Sequence, residues 1–369
     1  MVTGVETVFG GLYCLGLAAG FFMHRSDFCL AGAFRDLFLF RSMRLIRPVV
    51  LAVAISALLF EVARLTGLLS YHPFPGFSVP AGASLLGGFL FGVGMVLTGA
   101  CVVGVLYKLG GGSLLAGIGL LGLILGSGLY AEFHPYWQTL MRASRWHDQA
   151  ITLPQLVGTS PTIGTLGLAG AGLLLCAIWW RRGQWSQGYA PDGFIPLWLT
   201  ASVIAVINLL ALLVSGVPMG ITTSYAKAAA VVENLFVPGH VATTEFFVTR
   251  GFQLAPPPIG QVLTGGGGPQ VDVITLIQLP LILGIVMGAF ASAALLGEFK
   301  PHWKVPAGQA LMVFCGGVIM AFGARMTPGC NVWHILGGLP LLTLQSLLFL
   351  AGLLPGAWVG SRLLQKFLV

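Results

Sequence analysis

The feature that most constrains this chain is a series of apolar runs, each long enough to cross the hydrocarbon core of a membrane. A membrane-spanning helix needs about 17–25 predominantly apolar residues. Such runs recur along the whole sequence, and we place nine of them near 7–23, 47–66, 82–100, 112–131, 162–180, 194–214, 272–296, 306–325 and 339–362. The pattern predicts an all-α integral membrane protein with about nine transmembrane helices.

The composition agrees with this fold class. Of the 369 residues, 56% are hydrophobic and 8% are charged, a balance that a soluble core of this size does not need. Short loops separate the apolar runs, so we predict a single polytopic membrane domain over residues 1–369. The first run is not followed by an A-x-A-like cleavage pattern and is therefore kept as a membrane helix.

Lysine and arginine residues set the expected orientation. The loops after the first, third, fifth and seventh runs, with the carboxyl tail, carry Arg25, Arg35, Arg41, Arg44, Arg47, Lys108, Arg181, Arg182, Lys300, Lys304, Arg362 and Lys366. The positive-inside rule then places the amino terminus outside and the carboxyl terminus in the cytoplasm. The net charge of +7 reflects this orientation in a lipid bilayer, so we expect no nucleic-acid partner.

Two stretches fall on the opposite side of the membrane from these basic loops. Residues 132–161 mix tryptophan and tyrosine with charges, which is typical of a helix lying in the membrane interface. Residues 216–271 contain loop-forming runs, APPP and LTGGGG, and the role of this segment stays open. The preceding sequence, GVPMGITTSYAKAAAVVENLF, is a candidate for dipping back into the membrane.

Three segments centred on cysteines look like copies of one another. With Cys29, Cys101 and Cys330 aligned, glycine stands thirteen residues earlier, a small residue nine earlier, and serine or threonine three earlier. These positions are Gly16, Gly88 and Gly317; Gly20, Gly92 and Ala321; and Ser26, Thr98 and Thr327. Small residues every fourth position let helices approach closely. We therefore predict pseudo-symmetric repeats, in which a re-entrant half-helix begins at or near each of these framed cysteines.

A half-helix that starts at membrane depth favours anions. Its first backbone N–H groups are free, and the positive end of the helix dipole points at the same place. A protonated thiol adds a weak S–H donor, whereas the helix start and a nearby arginine favour the thiolate. The sequence does not decide between these two protonation states.

The stretches RSDFC, TGAC and TPGCNVWH resemble the YeeE/YedE family of bacterial inner-membrane proteins, and the similarity covers nearly the whole chain. The resemblance implies uptake of thiosulfate or a related sulfur species through an hourglass-like protein. It also implies that Cys29, Cys101 and Cys330 relay the anion by S–H hydrogen bonds. Some family members are associated with selenium metabolism, and others work beside a small cytoplasmic sulfur-carrier protein, so the substrate and this partner stay open. A fourfold pattern would need a cysteine near 220–224, where GITTS offers only hydroxyl groups.

Charged residues near the framed cysteines are the next candidates, because ionisable groups at membrane depth are costly and usually functional. For Arg25 and Asp27 we favour an ion pair that closes the first re-entrant turn over a direct substrate contact. Arg325 and Lys108 are expected to set the sign of the two vestibules, although Lys108 reaching to the surface is an equal alternative.

Polar residues after the third cysteine are candidates too. Asn331 and His334 are possible donors to a bound oxyanion, with His334 as a packing residue at least as favoured. The remaining cysteines, Cys14, Cys176 and Cys315, lack the frame and are assigned to packing as small buried hydrophobic residues. We expect no disulfide, because cysteines at membrane depth do not meet an oxidising machinery. We expect no metal, because cysteine and histidine are not clustered at ligand spacing, and no cofactor.

Two classes of function remain. The first is a transporter or channel for a small sulfur anion, including a selenium analogue; the second is a membrane enzyme that forms a cysteine persulfide. A passive membrane scaffold would leave the repeated frame unexplained. The sequence favours transport, because no framed cysteine has a nearby carboxylate and histidine pair in a convincing base arrangement, and no phosphate-binding loop of the G-x-x-x-x-G-K-[ST] type occurs.

Overall fold

Helices make up nearly all the regular structure of the computed structural model, which describes residues 2–69, 73, 75–185, 193–299, 301 and 305–368. The α-helices are α1 Val2–Ser26, α2 Leu30–Leu39, α3 Ile46–Leu65, α4 Gly82–Thr98, α5 Val102–Gly110, α6 Leu114–Ala143, α7 Leu153–Val157, α8 Pro161–Arg181, α9 Leu197–Ser215, α10 Thr222–Phe236, α11 His240–Thr243, α12 Glu245–Val248, α13 Val273–Leu295, α14 Ala307–Met326 and α15 Leu344–Leu368. A π-helix, Val332–Gly338, and a 3₁₀-helix, Leu339–Leu341, join α14 to α15.

Nine helical stretches of the described residues are long and apolar enough to cross a membrane. They are Thr3–Leu39, Ile46–Leu65, Gly82–Gly110, Leu114–Ala143, Pro161–Arg181, Leu197–Ser215, Val273–Leu295, Ala307–Met326 and Leu344–Phe367. The predicted fold class, an all-α multi-pass membrane protein, is confirmed. The first and third stretches each include a break, at Cys29 and at Cys101, followed by a short helix.

The boundaries of two predicted elements were wrong. Residues 132–143 continue α6 without interruption through Pro135 and do not form a separate interfacial helix. The extension packs against the rest of the protein, because the Trp137 indole donates to the Met326 carbonyl oxygen at 3.1 Å. The last span begins at Leu344, and the 3₁₀-helix and a bridge between Thr152 and Thr343 occupy the chain before it.

Residues 216–271 form helices and one small hairpin. The hairpin pairs β1, Phe252–Leu254, with β2, Leu263–Gly265, in antiparallel register. The first part of α10 is buried and contains Lys227, whose ammonium group lies 2.8 Å from the Asp272 carboxylate at the start of α13. Lys227 also donates to the carbonyl oxygens of Gly268 and Gln270, and this ion pair therefore fixes the glycine-rich loop to α10.

The predicted close approach of helices at the frame glycines is confirmed. A β-carbon on Gly16 would lie 2.6 Å from the Leu281 carbonyl oxygen in α13. One on Gly92 would lie 2.5 Å from the Leu353 carbonyl oxygen in α15, and one on Gly317 would lie 2.6 Å from a carbonyl oxygen of α6. No side chain fits such a distance, so glycine permits backbone-to-backbone packing of each cysteine-bearing segment against a different partner helix.

Candidate functional site

The three framed cysteines are buried close to one another, with the thiol of Cys101 near those of both Cys29 and Cys330, although about 300 residues of chain separate the first from the last. Cys29 is 5% exposed, Cys101 0% and Cys330 1%. All six cysteines are free thiols. The structure therefore brings the predicted substrate-path residues into one place inside the protein.

Each framed cysteine stands at the start of a short helix. Cys29 is the N-cap of α2, and Cys101 is the N-cap of α5, where its sulfur accepts a hydrogen bond from the Gly104 N–H at 3.3 Å. Cys330 precedes the π-helix, and its carbonyl oxygen accepts from the His334 N–H at 2.9 Å. The positive ends of three helical elements therefore point to the region of the thiols.

A left-handed residue makes the turn before each cysteine. Asp27 has φ 50°, Gly99 has φ 69° and Gly329 has φ 148°. Glycine adopts such angles without steric cost, and aspartate is among the residues that tolerate them. These residues end the long helix and let the chain restart as a short one.

The frame hydroxyls share one geometry. Ser26, Thr98 and Thr327 each donate to the carbonyl oxygen four residues earlier, at 2.8, 2.8 and 3.2 Å respectively. Each of these is a back-bond from a hydroxyl to the i−4 carbonyl within the last turn of a helix. The hydroxyl protons are therefore bound inside the helix end before each cysteine and are not directed at a substrate.

The thiols of Cys29 and Cys101 are neighbours across Gly104. A β-carbon on Gly104 would lie 3.3 Å from the Cys29 sulfur and 3.4 Å from the Cys101 sulfur. The Tyr107 hydroxyl lies beside Cys29 and donates to the Asp27 carboxylate at 3.2 Å. The absence of a side chain at position 104 thus leaves the space beside both sulfurs free.

Cys330 lies on the other side of Cys101. The backbone N–H groups of Val332 and Trp333 face its sulfur, and the guanidinium group of Arg325 is close enough to act on it electrostatically. Donors from both the backbone and a cation therefore surround this thiol, which suits an anion held beside it.

The predicted ion pair between Arg25 and Asp27 was wrong. Among the described residues these two side chains form no salt bridge with each other. Arg25 donates to the Gly193 carbonyl oxygen, and Asp27 accepts from Tyr107. The left-handed turn at Asp27 explains the difference, because it separates the carboxylate from the last turn of α1.

Lys108 points back to the helix break and not only to the protein surface. Its ammonium group donates to the Gly99 carbonyl oxygen at 2.9 Å and acts electrostatically on Cys29. Lys108 and Arg35 line a cavity of about 290 Å³, which we call the Lys108 vestibule. This vestibule carries positive charge on the Cys29 side of the thiol cluster.

Arg325 occupies the opposite side of the cluster. It is 6% exposed and donates to the hydroxyl groups of Thr222 and Thr223 at the start of α10. Arg325 lines a cavity of about 570 Å³, bordered by Tyr130 and β1 residues, which we call the Arg325 vestibule. The buried thiols therefore lie between two cavities that each contain a cation.

Asn331 and His334 differ in what they offer. Both ring nitrogens of His334 have partners, the Ser346 hydroxyl at 2.9 Å and the Thr327 carbonyl oxygen at 2.8 Å, and its ring stacks on Phe349. This arrangement favours the packing role for His334. The Asn331 amide is fully buried, and neither its nitrogen nor its oxygen has a partner among the described residues.

Sequence reasoning missed Tyr225. This side chain is 4% exposed, its hydroxyl has no hydrogen-bond partner among the described residues, and it acts electrostatically on both Cys330 and Cys101. Tyr225 directly follows GITTS, the stretch where a fourfold pattern would need a cysteine, but only the folded position of α10 places it near the thiols. Of the unframed cysteines, Cys176 is buried as expected, whereas Cys14 and Cys315 are exposed on helix faces that point outward.

Comparisons with known proteins agree with the region that the geometry singles out. The family model for sulphur transport matches residues 25–359, a range that includes all three framed cysteines. The chain is 30% identical over 363 residues to the thiosulfate transporter TsuA of Spirochaeta thermophila, which covers 95% of this chain and 98% of that protein. It is 26% identical over 371 residues to the thiosulfate transporter TsuA of Escherichia coli, covering 96% and 94%.

Proposed function

Because this chain belongs to the sulphur transport family, we propose that it carries thiosulfate across a membrane and is not an enzyme. The observation that carries the proposal is the burial of three thiols in one cluster between two cavities, each lined by a cation. The anion enters at Arg325 and passes Cys330, Cys101 and Cys29 in turn before it leaves at Lys108.

The path suits a small divalent anion on physical grounds. Protonated thiols donate hydrogen bonds without adding negative charge, and their sulfur atoms are polarisable. Arg325 and Lys108 favour entry and exit of the anion at the two ends, while the helix starts favour it in the middle. The anion binds weakly at each of the three cysteines because S–H groups are weak donors. Weak binding allows it to pass from one cysteine to the next.

The orientation of the path in the membrane follows from the charge pattern of the loops. The positive-inside rule places the Lys108 vestibule in the cytoplasm of a bacterium and the Arg325 vestibule outside its inner membrane. Val271 is 90% exposed near the Arg325 vestibule, and Gln184 is exposed on the basic side. An impermeant thiol reagent should label Val271→Cys in intact cells and should label Gln184→Cys only after lysis. The reverse pattern would contradict the orientation.

A small sulfur-carrier protein is the expected cytoplasmic partner, and it would accept sulfur after the anion leaves the Lys108 vestibule. This part of the proposal rests on the family resemblance. Vesicles that contain only this chain should therefore take up thiosulfate without such a carrier. The total amount taken up should be smaller, because thiosulfate accumulates inside the vesicle when nothing consumes it.

Cysteine substitution tests the relay itself. Uptake of radiolabelled thiosulfate by vesicles containing the purified protein should collapse for Cys29→Ala, Cys101→Ala and Cys330→Ala. An anion without a donor in a buried site costs several kcal/mol. Serine, with its stronger O–H donor, should restore part of the uptake at one or more of these positions. Replacing Cys14, Cys176 or Cys315 by alanine provides the matched controls and should leave uptake unchanged.

The same variants separate transport from sulfur transfer. In transfer, a cysteine thiolate would attack the outer sulfur of thiosulfate, keep that sulfur as a persulfide and release sulfite. Serine would then be as inactive as alanine at the acceptor, and mass spectrometry would find one added sulfur on that cysteine. Uptake with no such adduct supports the relay, and an adduct with no net uptake would rule it out.

A further inference from the structure

Arg325 is a buried cation without an anionic partner among the described residues. Only 6% of the residue is exposed to solvent. No salt bridge joins it to a carboxylate in the described part of the chain. Its Nε has no hydrogen-bond partner there either. A charge in such a position is costly unless an anion or several dipoles compensate it.

The two groups that Arg325 does bind are also suited to an anion. Thr222 and Thr223, which accept its guanidinium N–H groups, are the first two residues of α10. This helix is 15 residues long, and its N-cap residue, Ile221, supplies no side-chain cap. The positive end of the helix dipole therefore lies beside the positive side chain, with nothing negative in the described residues between them.

A small cavity adjoins these groups. It has a volume of about 50 Å³ and is lined by Thr222, Thr223, Arg325, Gly329 and Trp333. A single water molecule needs about 10–15 Å³ by this kind of measure, so the cavity has room for a small polyatomic ion. The Trp333 indole N–H has no partner among the described residues and supplies a further donor.

We propose that this cavity is an oxyanion-binding site that takes the tetrahedral, oxygen-bearing end of a divalent sulfur anion. The inference rests on the proposed transport of thiosulfate and divides selection into two stages. Arg325, Trp333 and the start of α10 recognise charge and oxygen atoms, and the thiol of Cys330 recognises the outer sulfur. Sulfate carries the same charge but has a fourth oxygen atom in place of the outer sulfur, so it binds this site and is not passed to the thiols.

Sulfate is therefore the probe that tests the site. Isothermal titration of the purified full chain in detergent should detect sulfate binding, and sulfate should inhibit thiosulfate uptake by vesicles competitively. Arg325→Gln should weaken sulfate binding at least tenfold, and Trp333→Phe should weaken it by a smaller factor. Cys330→Ser should bind sulfate like the unmodified protein even where its thiosulfate uptake is reduced.

Two further variants control for charge and folding. Arg142→Gln removes an exposed cation near the carboxyl end of α6 and should leave sulfate binding unchanged. Arg325→Lys keeps the charge without the planar fork, so it should fold and bind sulfate with intermediate affinity. If Arg325→Gln does not fold, unchanged sulfate binding by both Arg325→Lys and Trp333→Phe would overturn the proposal.

The outcomes also distinguish this site from the transport function. If the protein takes up thiosulfate, but sulfate neither binds measurably nor inhibits this uptake, the oxyanion site is overturned and the transport proposal stays intact. Sulfate binding that depends on Arg325, in a protein that takes up no thiosulfate, would support the site and contradict the transport proposal. Equal sulfate binding by Arg325→Gln and the unmodified protein would overturn the site.

Discussion

Gly104→Ala places one methyl group against the thiols of both Cys29 and Cys101. The new carbon would lie 3.3 Å from one sulfur, 3.4 Å from the other and 3.2 Å from the Ala100 β-carbon, tighter than ordinary contacts. Overpacking of this kind typically costs about 1–3 kcal/mol. Alanine in place of glycine within a helix returns about 0.5–1 kcal/mol. The variant should therefore fold with a modest loss of stability.

Transport should respond much more strongly than stability. On the proposed path an anion that passes from Cys101 to Cys29 runs beside both sulfurs, where the methyl group would lie. If the cost of about 1–3 kcal/mol falls on this passage, uptake slows about 5- to 140-fold, since about 1.4 kcal/mol corresponds to a factor of ten. The assay is the initial rate of radiolabelled thiosulfate uptake by vesicles, normalised to correctly folded protein.

Gly128→Ala is a matched control. Its β-carbon would lie 3.2 Å from the Ala229 β-carbon, a similarly tight contact in α6 that does not involve the thiols. It should change stability by a comparable amount and leave uptake near that of the unmodified protein. A folded Gly104→Ala variant that transports at the unmodified rate would refute the claim that the substrate passes between these two sulfurs.

Three further predictions concern residues outside the cysteine frame. Tyr225→Phe should keep the fold, because the hydroxyl has no partner among the described residues, and should raise the KM for thiosulfate about tenfold or more if that hydroxyl binds the anion. Lys227→Met should lower the free energy of unfolding by about 3–5 kcal/mol by leaving the Asp272 carboxylate unpaired, and adding Asp272→Asn should recover part of that loss in thermal melting. The hydrogen bond with Glu233 raises the pKa of His240 above its usual 6.5, so its stabilising charge is fully present below that pH and is lost as the pH rises through the raised value. The melting temperature of the unmodified protein should therefore fall over this range more than that of His240→Gln, and parallel curves would contradict the assignment.

The features that the sequence predicted well depend on local patterns. Length and hydropathy determine which segments can span a membrane, and the nine candidate spans agree with the expected positions to within a few residues at most ends. The family resemblance carried by RSDFC, TGAC and TPGCNVWH is likewise confirmed. The glycine frame was informative because close packing of two backbones leaves no alternative residue at positions such as Gly92.

The features that the sequence did not predict depend on partners far along the chain. Residues 132–143 have the composition of an interfacial helix, yet Trp137 and His134 are buried and hold the end of α6 against other elements. Arg25 and Asp27 are near neighbours in sequence, but each binds a residue from a distant segment. Tyr225 follows the GITTS stretch, yet its residue type gave no reason to select it, because its neighbours Cys330 and Cys101 lie outside its own helix.

Helix α10 begins where a fourfold pattern would need a fourth cysteine, and it carries threonines there instead. Where the three cysteine segments each present a thiol at the start of a helical element, α10 presents two threonine hydroxyls that bind Arg325. A fourth thiol there would add one more weak donor, whereas a fixed guanidinium group supplies a full charge that attracts oxyanions from the vestibule. A neutral thiol distinguishes poorly between anions by charge, and a cation distinguishes poorly between sulfur and oxygen. On the proposed path, the departure from fourfold repetition would therefore combine both kinds of selection.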